Sequence, residues 1–226
     1  MNASAVAVTI PSAGHVVPKQ ERSSRTLDRI VRAAEELLAQ RPFEEITIAD
    51  IVRRSRSSIG SFYARFDSKE ALLPYLYDRY DRELRDRLAP RLDPSTWQGL
   101  DLRTMCRRGV ALMVDMYRER QWLLRAVALY ARAHPERLGA DVRQRRKAMH
   151  DEQAALFRPH VASITHSAAE KSVAFGLFVV ASACRERILF SASPHASATR
   201  ITDEQLKQEL ADMLYYYLTA ARTEGA

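Results

Sequence analysis

Between Arg53 and Phe66 the chain reads RRSRSSIGSFYARF, a run of cations and hydroxyls set against Ile59, Phe62, Tyr63 and Phe66. Four arginines and no acid fall between Arg53 and Arg65. Guanidinium groups at that density suit phosphate oxygens, to which they donate paired hydrogen bonds. Ser58 is placed to cap a helix start, where free N–H groups also receive phosphate. Gly60 and Ser61 lack bulk, so a helix carrying them can approach base edges closely, and Ile59 is suited to a thymine methyl. Phe62 and Phe66, at i and i+4, share one face and are expected to point inward. Tyr63 has an apolar body to pack and a hydroxyl to reach a phosphate. A solvated Arg-rich turn between core helices has the same composition, and composition alone does not separate the two readings.

Elsewhere the chemical signals are absent. The six His residues form no HExxH, no CxxC is present, and His160 and His166 lie across an expected loop, so no metal site is expected. There is no P-loop, GxGxxG or GxSxG, so the expectation is a protein that is not an enzyme and needs no cofactor. Cys106 and Cys184 are too few for a disulfide framework, which fits a reducing compartment. The run Arg143-Gln144-Arg145-Arg146-Lys147 reads as a solvated helix face rather than a second nucleic-acid surface.

The elements that must position the Arg53–Phe66 stretch are helical. Only 7 Gly in 226 residues, with abundant Ala, Leu, Arg and Glu, disfavour a turn-rich β fold. A net charge of +7 and a pI near 9.6 point towards polyanions. The most apolar run, Val173 to Cys184, is too short to span a membrane, and the first residues carry no secretory signal pattern. A cytoplasmic protein without a membrane partner is expected.

Residues 1–22 hold no helical period and read as a flexible arm. From Ser24, the spacing of Leu27, Ile30, Val31 and Ala34 predicts a first amphipathic helix closed by Pro42. Thr47 is placed to cap a second helix with Asp50 as the box acid, and Ser58 a third over Ile59–Phe66. Asp67 or Ser68 starts a fourth, reaching Leu88, with Pro74 as a potential kink. Further helices are predicted over 100–118, 120–133, 136–157, 167–190 and 203–222. Two short helices joined by a tight turn, the second bearing exposed polar groups, match the helix-turn-helix pattern. The predicted fold is therefore all-α: a three-helix DNA-binding head over 23–70, continuous with a larger helical domain over 71–226.

From Phe43 to Leu72 the chain resembles the DNA-binding head of the TetR family of bacterial transcriptional regulators. The matching stretch is TIADIVRRSRSSIGSFYARFDSKEALL, with Thr47, Ile51, Ser58, Gly60, Ser61, Tyr63, Phe66, Lys69 and Leu72 in register. The resemblance implies phosphate contacts from Thr47, Ser58, Tyr63 and Lys69, and places Arg65 near the DNA backbone. It implies base-facing roles for Ala49, Ile59, Gly60 and Ser61, beside the cationic Arg56. The family commonly has Ala-Gly-Val where this chain has Ser55-Arg56-Ser57. Arg56 must therefore accept a left-handed conformation, at a cost on the order of 1 kcal/mol, or the turn differs.

The resemblance further implies a homodimer built on the last two helices, a double-stranded operator as partner, and control by a small effector. The sequence offers Ala174, Leu177, Ala181, Leu210, Met213, Leu214 and Tyr217 for the interface. Met105, Met113, Met116, Trp122, Tyr130, Phe175 and Phe178 are the candidates to line an effector cavity, with ordinary core packing as the alternative. The expected function is a dimeric sequence-specific regulator, a repressor released by a mostly apolar effector. The alternative is a nonspecific or architectural DNA-binding protein without effector control.

Overall fold

The computed structural model describes residues 21–135, 140–165, 168–193, 196 and 201–220, and these are helical with no strand among them. The helices are α1 (Glu21–Leu38), α2 (Ile48–Ser55), α3 (Ile59–Tyr63), α4 (Leu72–Leu88), α5 (Leu102–Glu119), α6 (Gln121–Ala133), α7 (Ala140–Ala155), α8 (Ala169–Cys184) and α9 (Asp203–Thr219). The all-α expectation holds. No helix among the described residues is long and apolar enough to cross a membrane.

The contacts divide the chain into two compact units. The first takes residues up to Asp81 together with Ala126–Gly139; the second takes Arg82–Arg125 and Ala140–Ala226. The change-over thus falls at Asp81, within α4, rather than at the expected residue 70. In the first unit Leu27, Ile30, Val31 and Ala34 of α1 are buried together with Ile51 and Val52 of α2, Phe62 of α3, and Phe66, Leu72 and Leu76. In the second unit the core comes from Met105, Val110 and Val114 of α5, Val173 and Val180 of α8, and Leu206, Leu214 and Leu218 of α9.

Several boundaries differ from the sequence expectation for local reasons. The expected arm over 1–22 lies almost wholly outside the described residues, but α1 already begins at Glu21. Helix α3 stops at Tyr63 instead of running to Phe66. The Arg65 N–H bonds back three residues to the Phe62 carbonyl, and the Arg65 guanidinium donates to the Ser61 carbonyl at 2.6 Å. Carbonyls at the helix end are thereby satisfied and the chain is free to turn. Pro74 is the third residue of α4, inside the first turn, where a missing N–H costs no helical hydrogen bond, so no kink is required of it. The expected helix 167–190 is α8 followed by a π-helical turn over Arg185–Leu189. A capping box between Thr202 and Gln205 fixes the start of α9.

Candidate nucleic-acid interface

The geometry of the first unit is set from Thr47. Its hydroxyl accepts from the Asp50 N–H at 3.1 Å, while the Asp50 carboxylate accepts from the Thr47 N–H at 3.1 Å and from its hydroxyl at 2.7 Å. Arg41 and Arg53 each lie 2.6 Å from that carboxylate. The Thr47 hydroxyl and N–H, helped by Arg41, hold the Asp50 carboxyl well down, from the ordinary 3.8 to about 2.

Helix α2 ends in a Schellman motif. The Ser57 N–H donates to the Val52 carbonyl at 2.9 Å and the Arg56 N–H to the Arg53 carbonyl at 3.3 Å. Arg56 occupies the left-handed position with φ 50° and ψ 45°, so the first of the two alternatives is realised. It is the one residue other than glycine with positive φ among the described residues. Where the related turns carry an apolar anchor, Ser57 instead places its hydroxyl 2.7 Å from that of buried Ser55. Ser55 in turn donates to the Val52 carbonyl at 3.2 Å. The polar pair is satisfied locally, so the turn closes without the apolar contact.

Helix α3 starts at Ser58, whose hydroxyl accepts from the Ser61 N–H at 3.1 Å. Its inner side is Phe62, fully buried, with the Phe66 ring 5.5 Å away and Tyr75 a further 5.6 Å beyond Phe66. Its outer side is apolar and open: Ile59 is 55% exposed and Tyr63 52%. Gly60 lies beside them, and a Cβ built there meets only the Ser58 hydroxyl, at 4.0 Å. The fold therefore does not demand glycine at this position. Thr47, Ala49, Arg56 and Ser58 are exposed as well, and Ser61 is half-buried.

Two expected contacts sit differently. Arg65, anticipated near the DNA backbone, is buried at 8% exposure, with its guanidinium on the Ser61 carbonyl. Lys69, anticipated on a phosphate, is half-buried over the Phe43 ring at 4.6 Å and donates to the Phe43 carbonyl at 3.0 Å. It clamps the short 3₁₀ turn Phe43–Glu45 that leads into α2. Of the other arginines, Arg54 donates to Glu36 at 2.6 Å and Arg53 shares Asp50 with Arg41.

The second unit scatters the residues expected around one cavity. An apolar cavity of about 30 Å³ is lined by Leu88, Leu92, Trp97, Leu112, Met113, Met116, Phe157 and Leu177, with Gln153 as the single polar wall and Gly109 and Leu156 completing it. Of the expected residues only Met113 and Met116 are there. Met105 is fully buried in the core, Trp122 is 49% exposed on a separate open groove, and Tyr130, in the first unit, stacks on His134 at 4.9 Å. Phe175 and Phe178 are corrected outright: they are 54% and 56% exposed on the outer face of α8. Trp97, missed by the sequence reading, is tucked in by the 3₁₀ turn Pro94–Trp97 and donates from Nε1 to the Arg91 carbonyl at 2.6 Å. Its only signal was a Trp beside a Pro-marked loop.

The residues expected at a dimer interface divide in the same way. Leu177, Leu210 and Leu214 are buried within the unit, and Leu177 faces the cavity. Ala174, Ala181, Met213 and Tyr217 are half-buried, and the Tyr217 ring lies 5.9 Å from Phe175. Among the described residues no three His, Cys, Asp or Glu side chains gather as a metal would require. Burial pushes the Cys106 and Cys184 thiols up to about 12.

An all-helical chain whose α2–turn–α3 presents an open face of Ile59, Gly60 and Tyr63 is, as a class, a helix-turn-helix protein. Residues 30–76 match the model of the family described as bacterial regulatory proteins, tetR family, so the head is a TetR-family DNA-binding domain. Over 88 residues the chain is 32% identical to YvdT of Bacillus subtilis, an uncharacterised HTH-type transcriptional regulator. That match covers 38% of this chain and 44% of YvdT. The fold as a whole is similar to a crystal structure from Mesorhizobium loti described as a TetR-family transcriptional regulator, with a TM-score of 0.63 and 17% identity over 88% of this chain and 98% of that one. A second, from Syntrophomonas wolfei and described likewise, gives a TM-score of 0.51 and 13% identity over 91% of this chain and 100% of that one.

Proposed function

We propose that this protein is a sequence-specific transcriptional regulator that binds a roughly palindromic DNA operator as a homodimer. The observation that carries the reading is the outer face of α3, where Ile59 and Tyr63 stand exposed around Gly60. Exposed apolar side chains beside an open glycine have no role in the core, but they suit thymine methyls and base edges in the major groove. Thr47, Ala49, Ser58 and Ser61 flank that face and supply hydroxyls and close backbone approach. Arg65 and Lys69 act instead by holding α3 and the entry to α2 in place.

Two copies related by a twofold axis address two half-sites, and the α8 face bearing Phe175 and Phe178 is the surface proposed to join them. The effector reading rests on the cavity around Met113, Met116 and Trp97. Its walls carry no charge, so it suits an uncharged apolar molecule, and its small volume requires the methionines to move aside. A ligand preferring a conformation with the two heads misspaced would weaken operator binding roughly 5- to 150-fold, for a coupling of about 1–3 kcal/mol. Repression is the proposed sign of regulation.

The test is selection of bound duplexes from random DNA at several salt concentrations. A palindromic consensus bound at least about 10³-fold more tightly than random duplex is expected. Binding that never enriches a sequence, at any salt, would leave only a nonspecific DNA-coating protein, and the proposal would fall.

A further inference from the structure

We infer that Arg56 is a phosphate anchor, kept at the left-handed position of the helix-turn-helix at the expense of fold stability. The inference rests on the DNA-binding reading above and adds a residue-level trade to it. The first observation is conformational. With φ 50° and ψ 45°, Arg56 sits where a Cβ crowds the backbone and where glycine is favoured. The Schellman hydrogen bonds around it, from Ser57 to Val52 and from Arg56 to Arg53, need only the backbone. Nothing in the turn therefore calls for a side chain at this position, and glycine would make the same motif without strain.

The second observation is electrostatic. Among the described residues from Thr47 to Phe66, the other arginines are engaged: Arg53 on Asp50, Arg54 on Glu36, and Arg65 buried on the Ser61 carbonyl. Arg56 is exposed and no carboxylate lies within ion-pair distance of it. A cation that breaks no ion pair and leaves no buried partner behind gives its full attraction to an incoming phosphate. Its place, two residues before the Ser58 cap of α3, puts it next to the end of the helix that enters the groove. Strain retained at a position where it carries an otherwise unused charge is the pattern of a functional site.

The experiment compares the full-length protein with Arg56→Gly, Arg56→Asn and Arg56→Lys, on the duplex selected from random DNA and on a random-sequence duplex, across a salt series. Gly and Asn both tolerate the left-handed region; Lys keeps the charge and the strain. For Arg56→Gly we expect a Tm raised by about 2–4 °C. We also expect roughly tenfold weaker binding to the selected duplex and a log K against log salt slope shallower by about 0.9. Asn should follow Gly in affinity and slope, and Lys should keep the wild-type slope without the gain in Tm. Equal affinity and slope for wild type and Arg56→Gly would overturn the inference while leaving the regulator reading intact. A wild-type protein that selects no sequence but still loses salt slope on Arg56→Gly would sink that reading and uphold the anchor. Loss of binding in the Lys variant equal to that in Gly would also overturn it, since charge would then not be the cause.

Discussion

The carboxylate of Asp50 concentrates the forces that start the helix-turn-helix. It accepts from the Thr47 hydroxyl and N–H and faces Arg41 and Arg53, and these partners hold its pKa down at about 2. A pKa lowered by folding contributes stability that is present above the ordinary 3.8 and is lost as pH falls towards about 2. Acid unfolding followed by circular dichroism should therefore show a component in that window for the wild type that is missing in Asp50→Asn, whose stability is lower at neutral pH and flatter below it. Matching acid profiles for the two proteins would rule out Asp50 as the source. Much of this was legible in the sequence, because a capping box spans three residues and needs no tertiary partner: Thr47 and Asp50 could be paired by spacing alone, and so could Ser58 with its helix. The left-handed Arg56 was legible as an alternative for the same reason. Arg65 and Lys69 were not, since what a long cation does depends on which carbonyls the tertiary fold leaves open. Here those belong to Ser61 and Phe43, and only the second is distant in sequence.

At the scale of elements, periodicity located every helix, and the errors fell where a helix ends for a reason outside its own pattern. Helix α3 ends early because Arg65 and Phe66 fold back on Phe62, and α8 passes into a π-helical turn that no apolar repeat announces. The α8–α9 contact is the informative case. Gly176 was read as permitting close helix approach, and a Cβ built there lies 2.5 Å from Leu214 Cδ1 and 3.5 Å from the Tyr217 ring. Alanine in place of glycine favours a helix by up to about 1 kcal/mol. Overpacking a filled contact costs about 1–3 kcal/mol. Leu214 is only 1% exposed and has no open space to rotate into, so the steric cost should win. Gly176→Ala is expected to lower stability by about 1 kcal/mol, read as a fall in the denaturant midpoint at unchanged slope. A midpoint that rises instead would mean that Leu214 yields freely and that α8 and α9 are not close-packed at this point. Their neighbourhood is also tied from α5, where Arg118 pairs with Asp203 and Lys207 lies 2.8 Å from Asp115. The Arg103 guanidinium covers the Tyr215 ring at 4.5 Å. None of these pairs could be read from spacing, since their members lie far apart in the chain.

For the whole molecule, the outer face of α8 is where interior and exterior were hardest to tell apart from sequence. The helix is apolar on all sides, so its pattern cannot say which residues turn inward. The structure turns Val173, Leu177 and Val180 in and leaves Phe175 and Phe178 more than half exposed, their rings 6.3 Å apart with Tyr217 beside Phe175. Aromatic side chains grouped on a surface expose apolar area that association removes from water. They therefore take over, in the proposed dimer, the role first assigned to Leu177 and Leu214, which are spent on the core. Replacing both rings by charge, Phe175→Asp with Phe178→Asp, removes no buried packing and places like charges on the two faces of a twofold interface. The double variant should sediment as a monomer at concentrations where the wild type is dimeric, and its circular dichroism and Tm should stay close to those of a folded monomer. On the selected palindrome it should lose affinity by orders of magnitude, because two half-sites must then be filled independently. On random duplex it should bind nearly as well as before, since the charge of +7 falls only by four per dimer-forming chain pair and the head is untouched. A variant that remains a dimer would move the interface to another surface, and a monomer that keeps full affinity for the palindrome would show that one head suffices.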